Sequence, residues 1–179
     1  MGRWFSILGF LFLARCSPSA LPPPNAAPGA LVVREFTIDP EFTPSEHASL
    51  AEAADRIRTG TQGRVLLREG LGASVRFVRR GPEEGDVSSA EAAFGGIKAY
   101  GWYDGLGTIY IVGDRHATPH ALVHTAMHEL LHAIGVRHVA GNPNAIMAAS
   151  SDAREAPLLL SREDLDAIAR VVGFSGHDF

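Results

Sequence analysis

One short stretch near the middle of the chain carries the groups that could do chemistry: residues 128–138, which read HELLHAIGVRH. On a helix, side chains four residues apart lie on one face, so His128 and His132 can offer two imidazoles to one metal ion. Gly135 tolerates the positive φ that lets the chain leave the helix and return a third imidazole, that of His138. Three protein ligands and an open fourth position are typical of a catalytic zinc site, whereas a structural site is closed by four.

Glu129 is the candidate general base in this stretch. It follows His128 directly but points about 100° further around the helix, so it flanks the metal instead of binding it. A carboxylate in that position can take a proton from a metal-activated water and pass it to a leaving amine. The structural alternative is a helix with solvent-facing histidines. Five fixed positions are expected by chance in only about one in a hundred thousand chains of this length.

Three further histidines, His116, His120 and His124, continue the four-residue spacing towards the amino terminus. A step of four residues overshoots a helical turn by about 40°, so the row winds away from His128. We therefore expect His124 to lie outside the set of metal ligands, either in a supporting position behind them or on the surface.

The pattern HExxHxxGxxH followed by a methionine turn resembles the signature of the metzincin zinc peptidases. The second part is present in residues 143–147, Pro-Asn-Ala-Ile-Met, which is similar to the Pro-x-Ala-Leu-Met of the matrixin-like branch. The resemblance is strong over residues 118–147 and extends in outline over about 31–174. It implies one catalytic Zn²⁺ ion held by the three histidines of the motif, a glutamate base, and a hydrophobic floor made by Met147.

The resemblance leaves the subfamily open. Val139 stands where matrixins usually carry Ser, and no Tyr follows Met147, so no tyrosine ligand is implied. The family resemblance also implies that a substrate binds as an extended peptide along the edge strand near residues 96–102, Gly96 to Trp102, through backbone hydrogen bonds. Alternatively, the aromatic residues of that segment are simply core and rim. No Asp-rich loop supports a structural Ca²⁺ ion.

Local patterns predict the elements that position these groups. Thr43 and Ser161 each begin a capping box, and Thr118 with Pro119 can begin the helix that carries the motif. Alternating or β-branched apolar runs predict strands. We therefore expect one α/β (α+β) domain of zincin or metzincin-like form, with a twisted mixed sheet, an antiparallel edge strand, an active-site helix and a C-terminal helix. The predicted strands are 31–38, 64–68, 74–79, 96–102 and 108–112, the predicted helices are 44–58, 119 through the motif, and 161–173, and 81–89 is predicted to be loop.

The amino-terminal residues are expected to direct export. Residues 1–16 combine a short positive start with an apolar run that is too short to span a bilayer, as in a signal peptide. They end in Leu-Ala-Arg-Cys, which resembles a bacterial lipobox with Cys16 as the acylated residue, although Arg15 is unusual there. Residues 17–30 form a proline-rich linker, and residues 31–179 the catalytic domain. We expect a lipid-anchored protein of the cell envelope or, alternatively, a secreted one.

Composition limits the possible functions further. The net charge of −4 gives no basic field for nucleic acid. Cys16 is the single cysteine, so we expect no internal disulfide and no cysteine-based latency. We predict a monomeric zinc endopeptidase that acts on peptides or proteins. Two alternatives are a zinc hydrolase of a cell-wall amide and an inactive metal-binding envelope module. Glu129 argues against the last, because metal binding alone does not need it.

Overall fold

A computed structural model describes residues 31–149 and 157–173 of the chain. The segment 1–30, with its predicted signal peptide, linker and Cys16, lies outside the described residues. The described part is a mixed α/β fold, in agreement with the predicted α+β class, and it contains a five-stranded sheet and four α-helices. These elements are β1 (Val32–Ile38), α1 (Pro44–Gly60), β2 (Val65–Glu69), β3 (Val75–Arg80), α2 (Gly85–Ala93), β4 (Gly101–Tyr103), β5 (Thr108–Val112), α3 (Pro119–Ala133) and α4 (Arg162–Val172), with a short 3-10 helix at Gly113–Arg115.

The sheet has the strand order β2-β1-β3-β5-β4. All neighbouring strands are parallel except β4, which pairs antiparallel with β5 and lies at the edge. The prediction of a mixed sheet with an antiparallel edge strand is therefore confirmed. The β4–β5 turn follows from local chemistry, since Gly105 and Gly107 have positive φ and the Asp104 carboxylate accepts the N–H groups of Leu106 and Thr108.

The predicted helix caps are confirmed. Thr43 and Glu46 form a complete capping box at α1, and Ser161 and Asp164 form one at α4. Gly173 ends α4 in the left-handed conformation, with φ of 82°. Helix α1 packs against α3 and β2, while α3 also packs against β4 and β5. Helix α3 is thereby held between a backing helix and the open edge of the sheet.

The predicted edge strand is wrong in its bounds, because β4 begins at Gly101 and not at Gly96. Gly95 and Gly96 both have positive φ, which turns the chain after α2. At Ala99 the carbonyl accepts from Arg115 and the N–H donates to Glu91, so neither group is available to a strand ladder. Regular pairing with β5 therefore starts only after Ala99, where these two side chains no longer bind the backbone.

Helix α2 falls partly in the segment 81–89 that was predicted to be loop, so that prediction is also wrong. Residues 90–93 of this helix read Ala-Glu-Ala-Ala, and Ala and Glu favour helices. The side chain of Glu84 makes no capping hydrogen bond at the start of α2. The only buried residue of this helix is Val87, so its sequence has no apolar stripe that would predict a helix. Arg80 fixes its first turn through an ion pair with Asp86.

Candidate metal centre

Helix α3 carries the first half of the site, and its start was predicted from sequence. The Thr118 hydroxyl accepts the N–H of Ala121, and Pro119 occupies the first helical position. An apolar stripe on this side of the chain is buried in full, and it comprises Val123, Met127, Leu130 and Ile134. Burial of that stripe fixes the rotation of the helix about its axis. The residues between the stripe positions, His128 and His132, are therefore turned away from the apolar core.

Gly135 ends this helix as predicted. Its φ is 99°, a conformation that side chains rarely adopt. The N–H of Gly135 donates to the His132 carbonyl and that of Val136 to the Leu131 carbonyl, which tightens the last turn. The reversal brings His138 back over the helix, so the third histidine reaches the first two.

The three histidines meet at a single point. The Nε2 atom of His132 lies 3.0 Å from that of His128 and 3.1 Å from that of His138, and the His128 and His138 Nε2 atoms are 3.2 Å apart. Among the described residues, this group is the one cluster of three or more candidate ligand side chains that could hold a metal ion. We call these three residues the histidine triad.

Hydrogen bonds fix the tautomers of the two helix histidines. His128 Nδ1 lies 2.6 Å from the Ile146 carbonyl oxygen, and His132 Nδ1 lies 2.8 Å from that of Val136. A carbonyl oxygen only accepts, so each Nδ1 carries the proton and each Nε2 keeps its lone pair. A ligating histidine is usually oriented in this way, with its second nitrogen donating to a carbonyl or carboxylate.

Burial keeps these imidazoles neutral. It lowers the pKa of His128 to about 3, with a further contribution from His132, and it lowers the pKa of His132 to about 4. The pKa of His138 is also lowered by burial. Neutral imidazole is the form that binds a metal, so protons compete weakly for the triad near pH 7.

The arrangement fits a zinc ion. A tetrahedral zinc with bonds of 2.0–2.1 Å holds its nitrogen ligands about 3.3 Å apart, close to the separations within the triad. Lone pairs of neutral imidazoles that face one another at this distance repel unless a cation lies between them. Three nitrogen donors also leave one position of a tetrahedron for a reactant. The structure therefore supports a metal site of the expected ligands, and the donor set suits zinc.

Glu129 is buried, with 6% of its surface exposed. Burial raises the pKa of its carboxyl to about 8, and the nearby Tyr103 backbone N–H opposes that rise. Tyr103 belongs to the edge strand β4, so the candidate base lies near that strand, a proximity that sequence patterns did not reveal. A nearby cation would favour the ionised form of the carboxyl.

Backbone carbonyls of the turn that contains Met147 accept hydrogen bonds from His128 and from the residue next to His138. Met147 is fully buried, its carbonyl accepts the N–H of Val139 next to His138, and the preceding carbonyl, that of Ile146, orients His128. Met147 was predicted to form a floor beneath the metal. The structure shows its burial and places its backbone between the supports of two ligands.

Asp164 is the supporting residue that sequence reasoning missed. It is completely buried, and its carboxylate accepts the backbone N–H groups of Ile146, Met147 and Ser161, each at 2.9 Å. The available signal was the capping box of α4, which accounts for the bond to Ser161 alone. The other two bonds join the start of α4 to the turn behind the triad.

His124 lies outside the triad, as predicted, but it is not at the surface. It is buried, and its Nε2 atom has no hydrogen-bond partner among the described residues. His116 accepts or donates at both ring nitrogens, towards the Val112 carbonyl and the Thr125 hydroxyl. Neither residue is part of the group that could hold a metal.

The edge strand lies directly against helix α3. Gly101 makes this approach possible, since a Cβ there would lie 2.9 Å from the Tyr110 carbonyl oxygen and 2.9 Å from Thr125 Cγ2. Asp104 N–H bonds to the Thr108 carbonyl, and the Tyr100 carbonyl accepts from Val112. In an antiparallel pair such bonds alternate, so the backbone groups of Gly101 and Tyr103 face away from β5.

Comparison with known proteins adds no assignment: no protein-family model and no curated protein matches the chain. Among the described residues, no helix has the length and apolar character needed to cross a membrane.

Proposed function

We propose that the chain is a zinc-dependent endopeptidase of the metzincin type, related to the matrixin-like branch. The observation that carries the proposal is the triad, in which three Nε2 atoms lie 3.0–3.2 Å from one another and two of the opposite nitrogens are bonded to carbonyls. The buried carboxyl of Glu129 beside it favours an enzyme over a protein that only binds metal.

Each residue of the site then has a defined task. The triad would hold zinc through its Nε2 atoms, and a zinc ion there would supply a Lewis acid that polarises the scissile carbonyl and lowers the pKa of water to about 7. Glu129 takes one proton from the attacking water and delivers it to the nitrogen of the leaving amine, so the C–N bond breaks to give an acid and an amine. The nearby Tyr103 N–H favours the ionised form of the Glu129 carboxyl, which is the form that takes the proton.

The edge strand supports an extended peptide as the substrate. The Tyr103 N–H lies near Glu129, and the Gly101 N–H, the Gly101 carbonyl and the Tyr103 carbonyl also face the open edge. These groups can form a backbone ladder with a peptide that lies beside β4. Because Tyr103 also lies near the candidate base, such a ladder leads the peptide past Glu129.

The cellular placement is a proposal from sequence alone. The apolar run and Cys16 support export and a lipid anchor, with residues 17–30 as a spacer between the membrane surface and a monomeric catalytic domain. Secretion without an anchor is the alternative.

The test is metal analysis combined with a peptide-library digest of the purified protein. We expect about one zinc per chain and cleavage of internal peptide bonds that stops when zinc is chelated and returns when zinc is restored. Casein and peptidoglycan are digested in parallel. Cleavage of peptidoglycan alone would identify a hydrolase of a cell-wall amide, and bound zinc with no cleavage of either would identify an inactive binding module.

A further inference from the structure

His116 lies where the end of β5 passes into α3, and its ring contacts three different elements around the edge strand. Its Nδ1 atom is 3.1 Å from the Val112 carbonyl oxygen, and its Nε2 atom is 3.1 Å from Thr125 Oγ1. The Tyr100 ring packs edge-on against it, with centroids 5.7 Å apart. Because the carbonyl only accepts, Nδ1 carries the proton and Nε2 accepts from the Thr125 hydroxyl. Burial lowers the pKa of His116, which keeps the ring in this neutral form near pH 7.

The partners of His116 are the residues that place the edge strand. The Val112 N–H donates to the Tyr100 carbonyl at 3.0 Å, which is the hydrogen bond next to the start of β4. The methyl of Thr125 faces Gly101, at the closest approach between β4 and α3. Thr125 also precedes Glu129 by four residues, so the two side chains lie one above the other on the same face of the helix.

We propose that His116 is a positioning residue for the peptide-binding edge. Its hydrogen bond with Thr125 and its contact with Tyr100 hold β4 against α3. The free backbone groups of Gly101 thereby keep a constant distance from Glu129. His116 touches no substrate and acts through Thr125 and Tyr100. This inference rests on the proposed function for its effect on substrate binding, but the structural link itself is independent of that function.

Thr125→Val is the sharpest perturbation. Valine keeps the methyl group that faces Gly101 and replaces only the hydroxyl, so His116 loses its donor while the close packing is retained. Arg115 still holds the chain at Ala99, which leads into the strand, so β4 is expected to loosen and not to be lost. Thr125→Ser keeps the hydroxyl and should restore the interaction. Thr108→Val is the matched control. It makes the same chemical change at the start of β5, whereas His116 bonds to Val112 at the end of that strand.

Steady-state kinetics of zinc-loaded protein on an extended peptide give the first measurement. We expect Thr125→Val to raise KM about 2- to 10-fold, the equivalent of one neutral hydrogen bond, with kcat and zinc content unchanged. Thr125→Ser and Thr108→Val should have KM values near that of the wild type. An unchanged KM in Thr125→Val, or an equal rise in Thr125→Ser, would overturn the proposal.

Amide hydrogen exchange of metal-free protein gives a second measurement that does not depend on activity. The Val112 N–H lies at the His116 end of the β4–β5 ladder and the Asp104 N–H at the other end. In Thr125→Val, exchange at Val112 should rise about 2- to 10-fold while Asp104 stays unchanged. Equal exchange at Val112 in both proteins would refute the positioning role. If the wild type cuts no peptide, the proposed function fails, yet this measurement still decides the role of His116.

Discussion

Asp164→Asn should weaken zinc binding although residue 164 is not a metal ligand. The Asp164 side chain is completely buried, and it accepts three backbone N–H groups. Its Oδ2 atom accepts those of Ile146 and Ser161, and its Oδ1 atom accepts that of Met147. Asparagine has the same size, but one of its two positions is an NH₂ donor. In either orientation of the amide, at least one backbone N–H therefore faces another donor.

The expected loss of stability follows from these three bonds. With the amide oxygen at the Oδ2 position, only the Met147 N–H loses its acceptor, which costs about 1–3 kcal/mol. The two remaining bonds lose the assistance of the charge, about 1 kcal/mol each. The sum of about 3–5 kcal/mol is smaller than the free energy of unfolding of most domains, about 5–15 kcal/mol. Asp164→Ala would orphan all three donors, so Asn is the more informative change.

Zinc affinity should fall by about 10- to 100-fold in the same variant, the range found when groups behind metal ligands are changed. The Ile146 carbonyl orients His128, and the Met147 carbonyl holds Val139 beside the third ligand, so movement of this turn disturbs two ligands at once. A competition titration with a chromophoric zinc chelator measures the affinity, and denaturant unfolding of metal-free protein measures the stability.

Glu163→Gln is the control for Asp164→Asn. Glu163 is the preceding residue of α4, its side chain is exposed, and it accepts from Asn142, a bond that glutamine can retain. This variant removes the same charge without orphaning a buried donor, so both measurements should stay near the wild-type values. Wild-type zinc affinity in an Asp164→Asn protein that has lost stability as calculated would refute the coupling between α4 and the triad.

Four further predictions concern the site and its setting. Glu129→Gln should retain about one zinc per chain and lose about 10²- to 10⁴-fold or more in peptide cleavage, because it keeps the shape and removes the base; near-normal turnover would refute that role. His138→Ala should lower zinc affinity at least 10- to 100-fold, measured by chelator competition, whereas equal loss in His124→Ala would show that the ligands are misassigned. Cys16→Ser should move the protein from the membrane fraction to the soluble one, and a wild type found only as soluble protein with an unmodified amino terminus would exclude the anchor. Because the pKa of His116 is lowered, the unfolded chain gains a proton at this residue below about pH 6.5 while the folded chain does not, so stability is lost as the pH falls. Denaturant unfolding at pH 7 and pH 5 should therefore show a smaller loss of stability in His116→Gln than in the wild type. An equal loss in the two proteins would contradict this sign.

The elements that could be predicted from sequence are those whose signals are local. The start of α3 depends on Thr118 and Pro119, and its end on Gly135, all within a turn of the boundary they set. The spacing of the triad is also local, since a segment of eleven residues, 128–138, contains all three histidines. The predicted boundaries were correct in these places because few distant contacts compete with the local preference.

The predictions that were wrong concern segments where the sequence carries no local signal of the backbone conformation. The edge strand was predicted five residues too early, because sequence alone does not show that Glu91 and Arg115 occupy the backbone groups of Ala99. Helix α2 was missed because it buries little and therefore has no apolar periodicity. His124 was expected either behind the ligands or at the surface, and the structure buries it. Spacing alone could not decide between these positions, because a histidine on an exposed face and one on a buried face have the same spacing.

The candidate metal site also combines local interactions, which the sequence predicts, with distant ones, which it does not. The carbonyl that orients His132 belongs to Val136, four residues away, so the local turn at Gly135 provides it. The carbonyl that orients His128 belongs to Ile146, eighteen residues away, and its position depends on Asp164 from the last helix. We therefore expect a chain that carries every residue of the HExxHxxGxxH pattern to hold zinc poorly if the acid behind the turn is lost. The pattern supplies the three candidate ligand nitrogens, whereas the buried carboxylate supports the turn whose carbonyl orients the first of them.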